Sequence, residues 1–193
     1  MKKGEQTRQR MIEATASLLQ SQGYAGTGVA QIIDEAGAPR GSLYFHFPGG
    51  KEELAAAAVR QSGAEWRVAI MEAVGAARDL PAGIRAACKL LADDLADSGF
   101  EHGCPVATVA LEAAPRSDVL HQACAEVYAA WQEIIEARLR ALGLPAARAA
   151  RLATSTLAMI EGAVLLCKAQ RSTRPLEHVG AELSELVGLL GRG

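Results

Sequence analysis

Apolar residues recur three or four positions apart along most of the chain, and alternating β-branched runs are missing, so the pattern predicts an all-α protein. In a first helix, about residues 6 to 22, Met11, Ile12, Thr15, Ala16, Leu18 and Leu19 form one stripe. Arg8, Arg10, Glu13 and Gln20 occupy the opposite face, and Gly23 is placed to end the helix. Thr27 then fits the N-cap of a short second helix in which Val29, Ile32, Ile33 and Ala36 share a face, and Gly37 ends it. Pro39 suits the first turn of a third helix running to Phe47, with Leu43 and Phe47 on one side. Helix, short turn and helix make a helix-turn-helix motif.

Pro48, Gly49 and Gly50 interrupt the periodicity, and Lys51-Glu52-Glu53-Leu54 opens a long alanine-rich helix to about Ala77. Further helices are expected at about 81–98, 105–114, 117–142, 146–171 and 176–190, separated by proline- and glycine-bearing breaks. The organisation read from this is an N-terminal three-helix domain over 1–50 that contains the helix-turn-helix and a larger helical domain over 51–193.

The composition of the 193-residue chain, half hydrophobic and 22% charged, is that of a folded globular protein. No run approaches the roughly 18 uninterrupted apolar residues of a membrane span. No apolar signal region follows Lys2 and Lys3, so the expectation is a cytoplasmic protein without a membrane partner. The four cysteines, Cys88, Cys104, Cys124 and Cys167, have no Cys-x-x-Cys spacing and read as reduced thiols. Net charge is −2, but Lys2, Lys3, Arg8, Arg10, Arg40 and Lys51 outnumber Glu5, Glu13, Asp34 and Glu35 at the N-terminal end. A mildly basic end on an acidic body is compatible with one nucleic-acid face.

The segment from Thr27 to Phe47 carries the chemistry. A helix of about eight residues is roughly 12 Å long, which suits a major groove of similar width. With Leu43 and Phe47 as anchors, Pro39, Arg40, Gly41, Ser42, Tyr44 and His46 face outward. Arg40 can meet guanine edges or phosphate, Ser42 and Tyr44 can donate to phosphate oxygens, and Gly41 permits close backbone approach. Thr27 and Lys51 fall at helix N-termini, which favour anions. Periodicity alone fits a plain helical hairpin with a solvated face equally well. His46 can serve as a packed, hydrogen-bonded residue, and Tyr44 as part of the core.

The order apolar helix, Ala36-Gly37, a variable pair, then Arg40-Gly41-Ser42-Leu43-Tyr44-Phe45-His46-Phe47 resembles the TetR family of bacterial regulators. With the preceding helix and Lys51-Glu52-Glu53-Leu54, the resemblance covers about the first 55 residues. It implies DNA contacts, mostly to phosphates, at Thr27, Arg40, Gly41, Ser42, Tyr44, His46 and Lys51, with base reading from the third helix and from Gln31. One departure is the Pro48-Gly49-Gly50-Lys51 connection, one residue longer than the commonest form. Gly103-Cys104-Pro105-Val106, followed by an apolar helix ending near Glu112, resembles the LmrA/YxaF-like branch.

The family implies that residues 51–193 form an effector-binding and dimerisation domain, so that a homodimer meets a double-stranded DNA operator and responds to a small-molecule effector; no cofactor and no enzymatic activity are expected. Leu157, Ile160, Val164, Leu183, Leu186, Val187 and Leu190 form stripes suited to a dimer interface or to an internal core. Candidate effector-chamber residues are Trp66, Leu91, Phe100, Cys104, Val109, Trp131 and Met159, types that also build ordinary cores. Such a chamber favours a lipophilic or aromatic molecule, with Glu112 or Glu161 as a polar contact. His102, Cys104, His121 and Cys124 lack the spacing of a recognised zinc module, so no metal is expected. Pro48-Gly49-Gly50-Lys51 lacks the strand, the first glycine and the following hydroxyl of a phosphate loop, and no nucleophile elbow occurs. The competing reading is a helical small-molecule-binding scaffold without sequence-specific DNA binding.

Overall fold

The computed structural model describes residues 3–190, and no strand occurs among them. The helices are α1 Lys3–Gly26, α2 Val29–Glu35, α3 Ser42–His46, α4 Gly50–Ala76, α5 Leu80–Asp97, α6 Pro105–Glu112, α7 Asp118–Ala141, α8 Ala146–Gln170 and α9 Arg174–Leu190. A 3-10 turn, Ala114–Arg116, follows α6. Two compact units are formed, one from the residues up to Glu65 with Cys104–Val127, the other from Trp66–Gly103 with the residues from Tyr128 onward. The divisions fall inside α4, just before α6 and inside α7, and α6 belongs to the unit that holds the helix-turn-helix.

In the first unit, Met11, Leu19, Ile32, Leu43, Phe47, Leu54, Val59, Val106, Val109 and Leu120 are fully buried. Met11, Leu19, Ile32, Leu43 and Phe47 are positions of the apolar faces expected for the first three helices, so hydrophobic burial fixes the rotation of each about its axis. Arg10 Nε donates to the Ala36 carbonyl at 2.9 Å, tying α1 to the end of α2, and the Arg8 guanidinium lies 4.9 Å from the Phe47 ring centroid. Gly63 meets the Val127 side chain where a Cβ has no room.

Three boundaries in this unit differ from those the sequence suggests. Gly23, with φ 74, interrupts α1, but helix resumes to Gly26. Gly28 caps α2 in place of Thr27, whose hydroxyl donates instead to the Gly23 carbonyl at 2.6 Å. The third helix starts at Ser42 and not at Pro39, because Pro39 occupies a turn whose carbonyl accepts from the Ser42 N–H at 2.9 Å. Gly37 ends α2 as expected, at φ 56, with the Ala38 N–H donating to the Ile33 carbonyl at 3.0 Å.

In the second unit, α5 packs on α9, and α8 packs on both. Small residues allow the close approach: a Cβ on Gly180 would lie 3.0 Å from that of Cys88, and Ser184 Oγ donates to the Pro81 carbonyl at 2.8 Å. One core cluster joins Ala92, Leu95, Ala163, Cys167 and Leu176, and another joins Leu139, Leu144, Ala149, Ala153 and Val187. Ile160, Val164 and Leu190 pack partly buried against these clusters, while Leu157 and Leu183 are buried. Of the two readings of these stripes, interface or internal core, packing within one chain accounts for most of their residues. The exposed apolar residues of these helices are Met159, Leu165, Leu166, Leu186 and Leu189. α8 is the one helix among the described residues long and apolar enough to cross a membrane by length and composition, and only 17% of its apolar window is buried.

Candidate nucleic-acid interface

The reading segment is built outward from its two anchors. Leu43 and Phe47 are buried, so the five-residue α3 turns its remaining residues away from the core. Arg40 and Gly41 are exposed in the turn before it, beside exposed Pro39. Tyr44 and Phe45 are exposed to 69% and 81%. His46 is half-buried, its ring set edge-on to Phe45 with centroids 4.9 Å apart. The outward surface combines a guanidinium, a phenol and an open aromatic face.

Gln31, on the exposed side of α2, accepts at its Oε1 from Gln22 Nε2 at 2.7 Å. With its oxygen engaged, the amide NH2 is the group presented to an acceptor such as a purine N7. Ser42 donates to the Pro39 carbonyl at 2.6 Å, so its hydroxyl oxygen remains an acceptor within a fixed turn.

Two candidates are placed differently from the rest. Thr27 is only 1% exposed, and both its hydroxyl and its N–H are directed into the preceding turn. Lys51 donates to the Tyr24 carbonyl at 2.7 Å, with its ammonium 4.0 Å from the Tyr24 ring centroid. Burial lowers the Lys51 pKa, opposed by the Glu112 carboxylate, and burial pushes the Tyr24 hydroxyl up with Glu52 adding to the shift. The first turn of α4 carries Glu52 and Glu53, and Glu53 Oε2 accepts from the Gly49 N–H at 2.7 Å, so that helix end already faces a carboxylate. The longer connection is absorbed by Gly50 at φ 68, whose N–H bonds the Phe47 carbonyl at 2.8 Å.

The chamber candidates are divided between the two units. Leu91 and Phe100 pack against the cluster around Leu95 and Cys167, and Trp131 stacks edge-on with Tyr128 at 5.7 Å. Trp66 is half-buried. Met159 is exposed and lines an open groove of about 520 Å³ with Leu166, Arg174, His178 and Val179. Cys104 and Val109 belong to the other unit: Cys104 caps α6 through its sulfur, 3.4 Å from the Ala107 N–H, and Val109 is fully buried. Glu112 accepts from the Ala25 N–H at 2.9 Å. No cluster of three or more metal-ligating side chains occurs among the described residues.

Phe45 is an outward-facing residue of the reading segment that the sequence reading passed over. An aromatic residue inside the run Leu43-Tyr44-Phe45-His46-Phe47 has the composition of a core position. Only its place between the buried anchors at 43 and 47 marks it as outward.

Residues 11–58 match the profile of bacterial regulatory proteins of the tetR family, and residues 81–182 match the C-terminal domain of LmrA/YxaF-like transcriptional regulators. The chain is 39% identical to the HTH-type transcriptional regulator LmrA of Bacillus subtilis, over 94% of this chain and 96% of that protein. It is 33% identical to the uncharacterized HTH-type transcriptional regulator YxaF of the same organism, over 94% and 95% of the two chains. Among solved structures, a TetR transcriptional regulator from Chloroflexus aurantiacus superimposes with a TM-score of 0.78 at 28% identity, covering 97% of each chain.

Proposed function

The chain belongs to the TetR family of bacterial regulatory proteins, with a C-terminal part of the LmrA/YxaF-like type, and on that premise we propose that it is a ligand-responsive repressor released from a palindromic operator by a small lipophilic or aromatic molecule. The observation that carries the DNA-reading part is the outward surface of the reading segment. Arg40 projects from the turn before α3, and Tyr44, Phe45 and His46 from α3 itself, which is anchored by buried Leu43 and Phe47. Arg40 reads a guanine or a phosphate, Tyr44 donates to a phosphate, Ser42 holds the turn that carries Arg40, and Gln31 reads from α2. Gly41 and Pro39 let the backbone come close. Thr27 and Lys51 act mainly from behind this surface, through the Gly23 and Tyr24 carbonyls they hold. Phe45 offers an apolar face to thymine methyl groups.

The reading function resides in residues 1–50, and residues 51–193 supply effector binding and dimerisation. Two copies join through the outer faces of α8 and α9, where Met159, Leu165, Leu166, Leu186 and Leu189 leave apolar surface in water. Dimerisation turns two modest half-site contacts into one palindrome-specific contact. α4 is continuous from Gly50 to Ala76, and its residues divide between the two units at Glu65 and Trp66. An effector that shifts this helix changes the separation of the reading heads, which must match half-sites a whole number of DNA turns apart. The protein works in the cytoplasm, without a cofactor and without catalysis.

Hydroxyl-radical footprinting on DNA upstream of its own gene tests the reading. The expected result is two protected patches related by a dyad and about one helical turn, or a multiple, apart. Uniform protection without a dyad at every protein concentration contradicts it.

A further inference from the structure

We propose that Glu112 is a positioning residue for DNA binding: from the end of α6 its carboxylate holds the α1–α2 junction in the conformation that presents the reading helices. The proposal rests on the DNA-reading function above and assigns a residue outside the reading surface to it.

Three successive residues of the junction each have a backbone group held by a side chain. The Gly23 carbonyl accepts from Thr27 Oγ1 at 2.6 Å, the Tyr24 carbonyl from Lys51 Nζ at 2.7 Å, and the Ala25 N–H donates to Glu112 Oε2 at 2.9 Å. Glu112 is the one of the three contributed from outside the N-terminal helices and the start of α4. It also draws on Lys51 electrostatically, so one carboxylate faces an N–H and an ammonium that both fix the same turn.

Gly23 shows how close this contact is. Its φ of 74 disfavours any residue with a side chain, and a Cβ there would lie 2.5 and 2.9 Å from the two Glu112 oxygens. The junction leads directly into α2, whose N-cap Gly28 supplies no side-chain hydrogen bond. The orientation of α2 therefore depends on how the junction is held. Beyond α6, Ser117 Oγ donates to Glu52 Oε2 at 2.9 Å, so the segment after Glu112 is fastened to the start of α4 as well. α6 thus sets the position of the turn from which both reading helices proceed.

Glu112→Ala, Glu112→Gln and Gly23→Ala, singly and as the Ala–Ala double variant of full-length protein, test this with two readouts. The first is affinity for the duplex footprinted above, and the second is amide hydrogen exchange of the protein without DNA. Glu112→Ala is expected to weaken binding roughly tenfold, the size of losing one charge-assisted hydrogen bond. Glu112→Gln retains an acceptor for the Ala25 N–H and loses less. Exchange is expected to quicken from Ala25 through α2 while α5 and α9 keep their protection. Gly23→Ala weakens binding too, and by less in the Glu112→Ala background than alone, because the clash with the carboxylate is gone.

Wild-type affinity in Glu112→Ala, faster exchange confined to the Ala25 amide, or strictly additive effects of the two alanine substitutions overturns the assignment. If the wild-type protein recognises no duplex, the DNA-reading function fails, and the exchange pattern still decides whether Glu112 positions α2.

Discussion

The reading segment and the α8–α9 pair are both helical and both leave apolar surface exposed, but they do so for different physical reasons. In the reading segment the exposure is confined to Tyr44 and Phe45 on a five-residue helix whose other face is pinned by Leu43 and Phe47. In α8 and α9 each helix is apolar on two sides. The inner side forms the core around Cys167, Leu176 and Val187, and the outer side remains open at Leu165, Leu166 and Leu189. A short helix can be oriented by two anchors and thereby display chemistry. A long helix with two apolar faces is oriented by one of them and requires a partner for the other.

The strongest way to break the comparison is to remove an anchor. Phe47→Ala empties a fully buried site and should lower stability by about 3–5 kcal/mol, read as a drop in the denaturation midpoint with DNA binding lost at the same time. An unchanged midpoint would show that α3 is not held by this ring. On the other region, Leu166→Glu combined with Leu189→Glu should leave each chain folded but shift the molecule from dimer to monomer in sedimentation, since both residues are exposed within one chain. A surviving dimer places the interface elsewhere.

Smaller changes sharpen the contrast. Tyr44→Phe removes a hydroxyl from an exposed ring, so operator affinity should fall by about 1 kcal/mol with no loss of stability. Equal affinity would remove Tyr44 from the phosphate contacts. A further effect concerns pH. Burial pushes the Cys88 and Cys124 thiols up to about 11 from an ordinary 9.0, so the folded state holds these protons more tightly than the unfolded chain. Their contribution to stability is complete below pH 9 and is lost as pH rises towards 11. Thermal melts should show a decline in that window that is shallower in Cys88→Ala. A curve of the same slope in both proteins would mean that the thiol does not titrate with unfolding.

The helices were legible in the sequence because their periodicity and their glycine and proline breaks agree: the expected 81–98 and 146–171 correspond to Leu80–Asp97 and Ala146–Gln170. The reading surface was legible wherever a residue type has a specific use, as with Arg40 and Tyr44. The positions whose surroundings differ from their local preference share a cause, which is that neighbours in space overrule that preference. Thr27 is a good capping residue in isolation, yet its hydroxyl is taken by the Gly23 carbonyl. Lys51 sits at a helix start but is held by Tyr24, and Phe45 has the character of a core residue but faces water. Glu112 reads as a polar contact for an effector, and nothing in the sequence shows that residue 112 reaches residue 25. For α8 and α9, periodicity marks both apolar faces and does not say which is covered first.

The most direct test of the central claim is fluorescence anisotropy of the purified protein against duplexes tiled from upstream of its own gene, repeated across salt concentrations and with Arg40→Ala alongside. The account predicts tight binding to one palindromic duplex that excess random DNA does not compete away, weakened by about 1–3 kcal/mol in Arg40→Ala. Weak binding of equal strength to every duplex, unchanged by Arg40→Ala, would contradict it and favour a helical ligand-binding scaffold.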